Sequence, residues 1–255
     1  MTTALVTGGT SGIGAAFARA LAARGDDLVL VARDATRLAE MASELTNAHA
    51  IEVEVMSADL ADSDDVLRVA GRLASTEQPI DLLVSNAGFG LTHALTAADM
   101  RPHEHAIDVM IRAVLILGGA AGRAMKARGH GTIINVSSTA TFVTMGGYSA
   151  IKSWVTVYTE GLANELRGTG VQVTALCPGW VRTEFHQRAD IRTSAIPKHL
   201  WLQADRVVAE CLDDVAKHKV ISIPSKRYRA LIFIARHLPR SAIRAVSVKL
   251  SSGRH

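Results

Sequence analysis

Two periodicities alternate along the chain. Short runs rich in Val, Leu and Ile, four to six residues long, are separated by longer stretches whose apolar positions return every three or four residues. The runs predict seven strands, at residues 3–7, 28–32, 52–57, 82–85, 132–136, 172–176 and 220–223. The stretches between them predict helices at 14–24, 35–45, 63–75, 104–126, 148–166 and 205–217. Strands that are apolar almost throughout, each followed by a helix, are the pattern of right-handed βαβ units. The predicted class is α/β, a doubly wound parallel sheet of about seven strands with helices on both faces.

Composition adds limits. With 255 residues, 48% of them hydrophobic and 20% charged, the chain can bury one substantial core and does not read as disordered. Within the helix predicted at 104–126 the uncharged run spans only 113–122, so no membrane-crossing helix is expected. The N-terminus runs straight into a strand, so no secretory leader is expected either. Cys177 and Cys211 lie too far apart for a metal-ligand spacing and are expected as buried thiols in a reducing, cytoplasmic setting.

Charge is uneven. Residues 224–255 carry eight basic residues and no Asp or Glu, while the remainder holds 20 basic against 24 acidic residues. The tail divides at Pro239 into two predicted helices, 226–237 and 240–250, the first with an apolar face at Tyr228, Leu231, Ile232 and Ala235. Such a segment can pack on the body or lie on an anionic membrane at its cytoplasmic face. No motif accompanies the charge, so nucleic-acid binding is not expected.

After the first strand the chain reads Thr7-Gly8-Gly9-Thr10-Ser11-Gly12-Ile13-Gly14 and opens a helix. A glycine turn at a helix N-terminus lets a pyrophosphate approach backbone N–H groups, as in Rossmann-type dinucleotide sites. Gly9 and Gly14 also have P-loop spacing, but Ala15 and Ala16 stand where Lys and Ser or Thr are required, which disfavours nucleotide hydrolysis. The second strand ends Ala32-Arg33-Asp34. An Arg there suits the 2′-phosphate of NADP(H); with the register slipped by two, Asp34 would instead accept from the ribose of NAD(H). Thr10 and Ser11 could add hydroxyls to the phosphate.

Ser137-Ser138 ends the fifth predicted strand, and Tyr148 and Lys152 sit four residues apart on one helix face. A neighbouring ammonium can bring a phenol into general acid–base range.

These segments together resemble the short-chain dehydrogenase/reductase (SDR) family over residues 3 to about 223. The further matching elements are Asp59-Leu60, Asn86-Ala87-Gly88, and Pro178-Gly179 with Thr183. The resemblance implies that Ser138 hydrogen-bonds a substrate carbonyl, Tyr148 transfers the proton, and Lys152 lowers the Tyr148 pKa and holds the nicotinamide ribose. It further implies that Gly8, Thr10, Ser11, Gly12, Ile13 and Gly14 cradle the pyrophosphate, and that Asp59 and Leu60 meet the adenine. Asn86, Ala87 and Gly88 would line the cleft, and Pro178, Gly179 and Thr183 would set the nicotinamide face.

Two departures stand out. Met110 occupies the position of a catalytic asparagine that supports the Lys through water, and a thioether is a poor substitute. Ser138 and Tyr148 are only ten positions apart, closer than the family usually has them, which keeps Ser137 open as an alternative.

Residues 1–223 thus read as an NADP-binding catalytic domain with a lid-like insert at 184–203, and 224–255 as a basic extension. Pocket candidates are mostly apolar: Phe89, Leu91, Phe142, Val143, Met145, Trp180, Phe185, Ile191, Ile196, Leu200 and Trp201. They suit a lipid, acyl or steroid-like carbonyl compound or alcohol. His103-Glu104-His105 has the wrong spacing for a helical metal site. His186 could reach the pocket, and the small residues 118–122 could serve a homodimer or homotetramer. The leading function is NADPH-dependent carbonyl–alcohol interconversion. The alternative is an NADP(H)-binding sensor or scaffold with little catalysis, and a methyltransferase lacks its acidic ribose ligand here.

Overall fold

Strand residues alternate between two apolar layers, which is why the runs are almost unbroken. Ala4, Val6, Leu28 and Leu30 face one side of the sheet, and Leu5, Val29 and Val31 the other. The computed structural model describes residues 2–184 and 197–251. Its seven parallel strands are β1 (Thr3–Thr7), β2 (Asp27–Ala32), β3 (Val53–Ser57), β4 (Leu82–Ser85), β5 (Gly131–Val136), β6 (Val171–Leu176) and β7 (Ile221–Ser222). The order is β3-β2-β1-β4-β5-β6-β7, so the winding reverses between β1 and β4 and opens a crevice at the C-terminal strand ends.

Helices α1 (Gly12–Ala22), α2 (Ala35–His49) and α7 (Ala204–Ala216) cover one face through Phe17, Leu21, Leu38, Leu45 and Val208. Helices α3 (Ser63–Leu73), α5 (Ala113–Arg128) and α6 (Gly146–Glu165) cover the other through Val66, Leu73, Leu117, Met125 and Ile151. The doubly wound sheet is therefore the one the periodicity predicts.

The helix predicted at 104–126 starts earlier. It begins as α4 (Arg101–Ile107), loosens into a π-turn over Asp108–Arg112 and continues as α5. These 28 residues are long and apolar enough to cross a membrane by length and mean hydropathy, which corrects the expectation from the uncharged run alone. Here 56% of the apolar window is buried inside the protein, against the sheet and α3. The small residues of α5 receive a neighbour from the same chain: the Tyr158 ring of α6 lies over Gly118, and its hydroxyl donates to the Leu115 carbonyl at 3.4 Å.

The tail forms α8 (Lys226–His237) and α9 (Arg240–Ser251), divided as expected before Pro239-Arg240. Tyr228, Ile232 and Ile243 are buried, and the Ser247 hydroxyl accepts from the Thr144 N–H at 3.0 Å. One side of the tail therefore belongs to the wall around the 139–145 loop.

Candidate active site

Every element of the site leaves the C-terminal edge of a strand, because parallel strands all present the same end to the crevice. A cleft of about 1720 Å³ runs along that edge. Lining it are Gly8, Thr10, Ser11, Gly12 and Ile13 after β1, Arg33 after β2, Asp59 and Leu60 after β3, and Asn86, Ala87 and Gly88 after β4. Ser138, Tyr148, Lys152, Pro178, Gly179 and Thr183 complete it. Gly14 lies one step behind, within α1, where an added Cβ would collide with the Gly8 carbonyl oxygen and the Asn86 amide.

Of the helices that follow β1, β2 and β3, α1 alone starts without a side-chain cap. At α2 the Asp34 carboxylate accepts from the Arg37 N–H, and at α3 Asp62 accepts from the N–H groups of Asp64 and Asp65. At α1 the N-cap is Ser11, whose side chain makes no capping bond. The first-turn N–H groups of α1 are thus left facing the cleft, and no carboxylate stands in that turn. Asn86 braces the loop: its Nδ2 donates to the carbonyls of Thr7 (2.9 Å) and Gly8 (3.3 Å), while its own N–H donates to Thr7 Oγ1 at 2.9 Å. A dinucleotide's pyrophosphate fits this cradle.

At the end of β2, Arg33 is exposed and lines the cleft. Arg37, which the sequence reading passed over, joins it from the first turn of α2. Its guanidinium donates to the Thr10 carbonyl at 3.4 Å and pairs with Glu184 at 3.3 Å. The missed signal was the i,i+4 spacing of Arg33 and Arg37 across a helix start. Asp34, the alternative ribose acceptor, is engaged as the α2 cap.

The two serines after β5 separate. Ser137 is buried, with its hydroxyl donating to the Lys152 carbonyl at 2.8 Å and bonded to Thr156 Oγ1 at 2.7 Å. Ser138 faces the cleft, accepts from the Ala140 N–H at 3.1 Å and hydrogen-bonds the Tyr148 phenol. The short span between Ser138 and Tyr148 is taken up by a 3-10 turn at Thr139–Phe142.

Burial pushes the Tyr148 phenol well above its ordinary value of 10.0, and the Ser138 hydrogen bond pulls only partly against it. Lys152 is lowered to about 8 by burial, with the nearby Cys177 acting the other way. The expected coupling of ammonium and phenol takes a different form. Lys152 Nζ lies 5.7 Å from the Tyr148 ring centroid and donates to the Val136 carbonyl at 2.9 Å. Met110 sits at the centre of the π-turn, fully buried, with its sulfur against Gly88. Such turns widen a helix by one residue and recur at functional sites.

Among the pocket candidates, Phe89, Leu91, Val143, Met145, Trp180 and Leu200 line the cleft. Phe142 and Trp201 do not: Phe142 lies under the Arg236 guanidinium and Trp201 under that of Arg182. Phe185, His186, Ile191 and Ile196 fall outside the described residues. The cleft also admits polar groups: His93, which no motif announced, and His105, weighed in the sequence only as a metal ligand and here stacked on Phe89 at 5.1 Å. His103, by contrast, is buried and bonded to the Ala94 carbonyl at 3.1 Å.

The tail contributes a residue the motifs could not announce. The Tyr228 ring of α8 occupies the space a Cβ on Gly179 would need. Its hydroxyl accepts from the Trp180 N–H at 3.0 Å and donates to the Leu200 carbonyl at 2.8 Å. In sequence it reads only as part of an apolar stripe.

A sequence profile described as short chain dehydrogenase matches residues 2–193, and the chain belongs to that family of oxidoreductases, which act on CH–OH and C=O groups. It is 37% identical over 187 residues to a galactitol 2-dehydrogenase (L-tagatose-forming) of Cereibacter sphaeroides, covering 71% of this chain and 72% of that protein. A short-chain dehydrogenase from Sphingobium yanoikuyae, solved in complex with NADPH, superposes with a TM-score of 0.84 at 32% identity, over 92% of this chain and 94% of that one. The bulky-bulky ketone specific alcohol dehydrogenase from Comamonas testosteroni gives a TM-score of 0.79 at 28% identity, over 94% and 96% of the two chains.

Proposed function

We propose that this protein is an NADPH-dependent reductase of bulky apolar ketones or aldehydes, able to run in reverse as an alcohol dehydrogenase. The observation that carries the reading is the Ser138–Tyr148 hydrogen bond at the cleft wall, with Lys152 one helical turn away. The cofactor, when bound, supplies or accepts the hydride. A substrate carbonyl oxygen is held by the Ser138 hydroxyl and receives the Tyr148 proton. The Tyr148 phenol is protonated at neutral pH, as the reducing direction requires, and the Ser138 hydrogen bond works against the burial that would make it a weaker acid. Lys152, charged below about pH 8, adds positive potential beside the reacting oxygen.

Arg33 and Arg37 support NADP(H) over NAD(H): both line the cleft at the end of β2, where a 2′-phosphate would lie, and Asp34 is engaged as the α2 cap, while the Glu184 carboxylate now paired with Arg37 would have to give way to that phosphate. Phe89, Leu91, Val143, Met145 and Trp180 support an apolar substrate, as does the likeness to a ketone-specific enzyme. The likeness to a galactitol dehydrogenase makes polyols the comparison set. A homodimer through α5 and α6, where Leu115 and Val157 are exposed, belongs to the same reading and is checked by light scattering.

The test is an NADPH turnover screen of bulky ketones against ketoses, with Tyr148→Phe as the control. Turnover of bulky ketones, abolished in Tyr148→Phe with NADPH binding retained, is expected. Preference for sugars would refute the substrate class. Turnover surviving in Tyr148→Phe would refute the mechanism. No turnover of any carbonyl with intact NADPH binding would favour the cofactor-binding sensor, to which the Met110 replacement lends its support.

A further inference from the structure

We propose that the outer face of α8 and α9 docks the protein on an anionic phospholipid bilayer, with the substrate cleft opening beside the docked surface. The inference stands on the tail and is independent of the catalytic reading.

Apolar side chains here are left in water although the other side of the same helices is buried. Phe233 is 66% exposed, Ile234 57%, Leu231 49% and Val248 68%. Exposed large apolar groups grouped on one short tail and rimmed by polar residues are the kind of surface that marks a contact with a partner or a membrane. Basic residues surround them: Lys226, Arg227, Arg229, Arg236, Arg240 and Arg244 are exposed, and residues 224–255 contain no Asp or Glu. Some of these cations already have partners in the protein. Arg229 approaches Glu210 at 3.6 Å, Arg227 donates to the His199 carbonyl at 3.0 Å, and Arg236 lies over Phe142 at 5.8 Å. Lys226, Arg240 and Arg244 have no such ion pair among the described residues. A face that combines exposed aromatic and aliphatic groups with cations and excludes acids matches the interface of an anionic bilayer.

Charge also argues against the other obvious occupant. A second copy meeting this face through a two-fold axis would set the same cations against themselves.

The position of the face gives it a use. A small apolar groove of about 170 Å³ between α8, α9 and Val143 shares Val143, Leu231 and Ala235 with the lining of the large cleft. An apolar molecule held in the outer lipid layer would therefore meet the cleft mouth without crossing water.

Vesicle co-sedimentation of the full chain is the test, with phosphatidylcholine vesicles and with phosphatidylcholine–phosphatidylglycerol vesicles at low and high salt. Truncating the tail would remove Tyr228, so the variant is Phe233→Ser with Val248→Ser, both exposed and outside the cleft lining. Binding to the anionic vesicles only, weakened by salt and reduced about tenfold or more in partition by the double variant, is expected. A thermal melt unchanged between wild type and variant certifies the fold. Absence of sedimentation with anionic vesicles, or sedimentation that the double variant leaves unaltered, would overturn the proposal. So would a concentration-dependent dimer that the same substitutions dissolve, which would assign the face to a second copy. None of these readouts uses turnover, so their failure is separate from failure of the reductase reading.

Discussion

Removing one oxygen atom from Tyr228 tests whether the basic tail is part of the cofactor site. The phenol ties two strands of loop together, accepting from the Trp180 N–H at 3.0 Å and donating to the Leu200 carbonyl at 2.8 Å, while the ring rests on Gly179. Tyr228→Phe keeps the ring and so creates no cavity. What is lost is two hydrogen bonds at a buried site, each worth about 0.5–1.5 kcal/mol net, for a total of ~1–3 kcal/mol. In a chain of this size each kcal/mol lowers the Tm by about 2–4 °C. Trp180 follows Pro178-Gly179 directly, so part of the loss should be felt where the nicotinamide is expected. Each 1.4 kcal/mol carried into the bound state weakens NADPH about tenfold. Tyr228→Ala would add the cavity of an absent ring, with a cost of about 3–5 kcal/mol by analogy with other large aromatic truncations. Denaturant unfolding and NADPH fluorescence titration of wild type, Tyr228→Phe and Tyr228→Ala measure both effects. If Tyr228→Phe matched wild type in midpoint and in NADPH affinity, the tail would not brace the loop and the reasoning would be wrong. A shift in midpoint with unaltered NADPH affinity would reduce Tyr228 to a structural tether.

Four other outcomes follow from the same geometry. Arg33→Ala and Arg37→Ala should each weaken NADPH by about 1.5–3 kcal/mol, as expected for charge-assisted hydrogen bonds, and change NADH little; equal losses for both cofactors in a binding titration would remove the 2′-phosphate assignment. Gly14→Ala should abolish NADPH binding and lower stability by about 1–3 kcal/mol through overpacking against Gly8 and Asn86, read by titration and melting. For Lys152, held at about 8 against an ordinary 10.5, the unfolded chain binds the additional proton between those values, so unfolding free energy should rise with pH over pH 8–10.5 and that stability be lost again as pH falls through 8. Lys152→Met should lack this rise in urea unfolding carried out across the window. Met110→Asn should raise turnover by restoring an amide beside Gly88 and Lys152, at a stability cost of ~1–3 kcal/mol for a buried amide; unchanged turnover would mean that the Val136 carbonyl already serves Lys152 adequately.

Much of this protein was legible because its signals are local. A strand buried on both faces must be apolar throughout, and a helix covering it must repeat its apolar residues every turn, so the seven strands and the helices of the body were readable within a few residues. The glycine loop, Ser138, Tyr148 and Lys152 were readable for a related reason: each lies just past a strand end or on one helix face, and parallel winding carries all strand ends to one edge. What lay beyond reach depended on contacts across long stretches of chain. The family resemblance favoured Ser138 but left Ser137 open, and only the packing of β5 against α6 turns the first toward Tyr148 and the second toward Thr156. The Lys152 ammonium does lie against the Tyr148 ring, but its hydrogen bond goes to the Val136 carbonyl, which no sequence signal announces. Tyr228 looks like one more apolar residue of an amphipathic helix until the fold lays α8 on Gly179, some fifty positions earlier in the chain. Periodicity and spacing are properties of neighbours in sequence, so they decide the elements and the edge at which the site forms. The partner of each buried polar atom is decided by which distant element supplies the nearest donor or acceptor once water has been excluded, and that is set only by the tertiary structure.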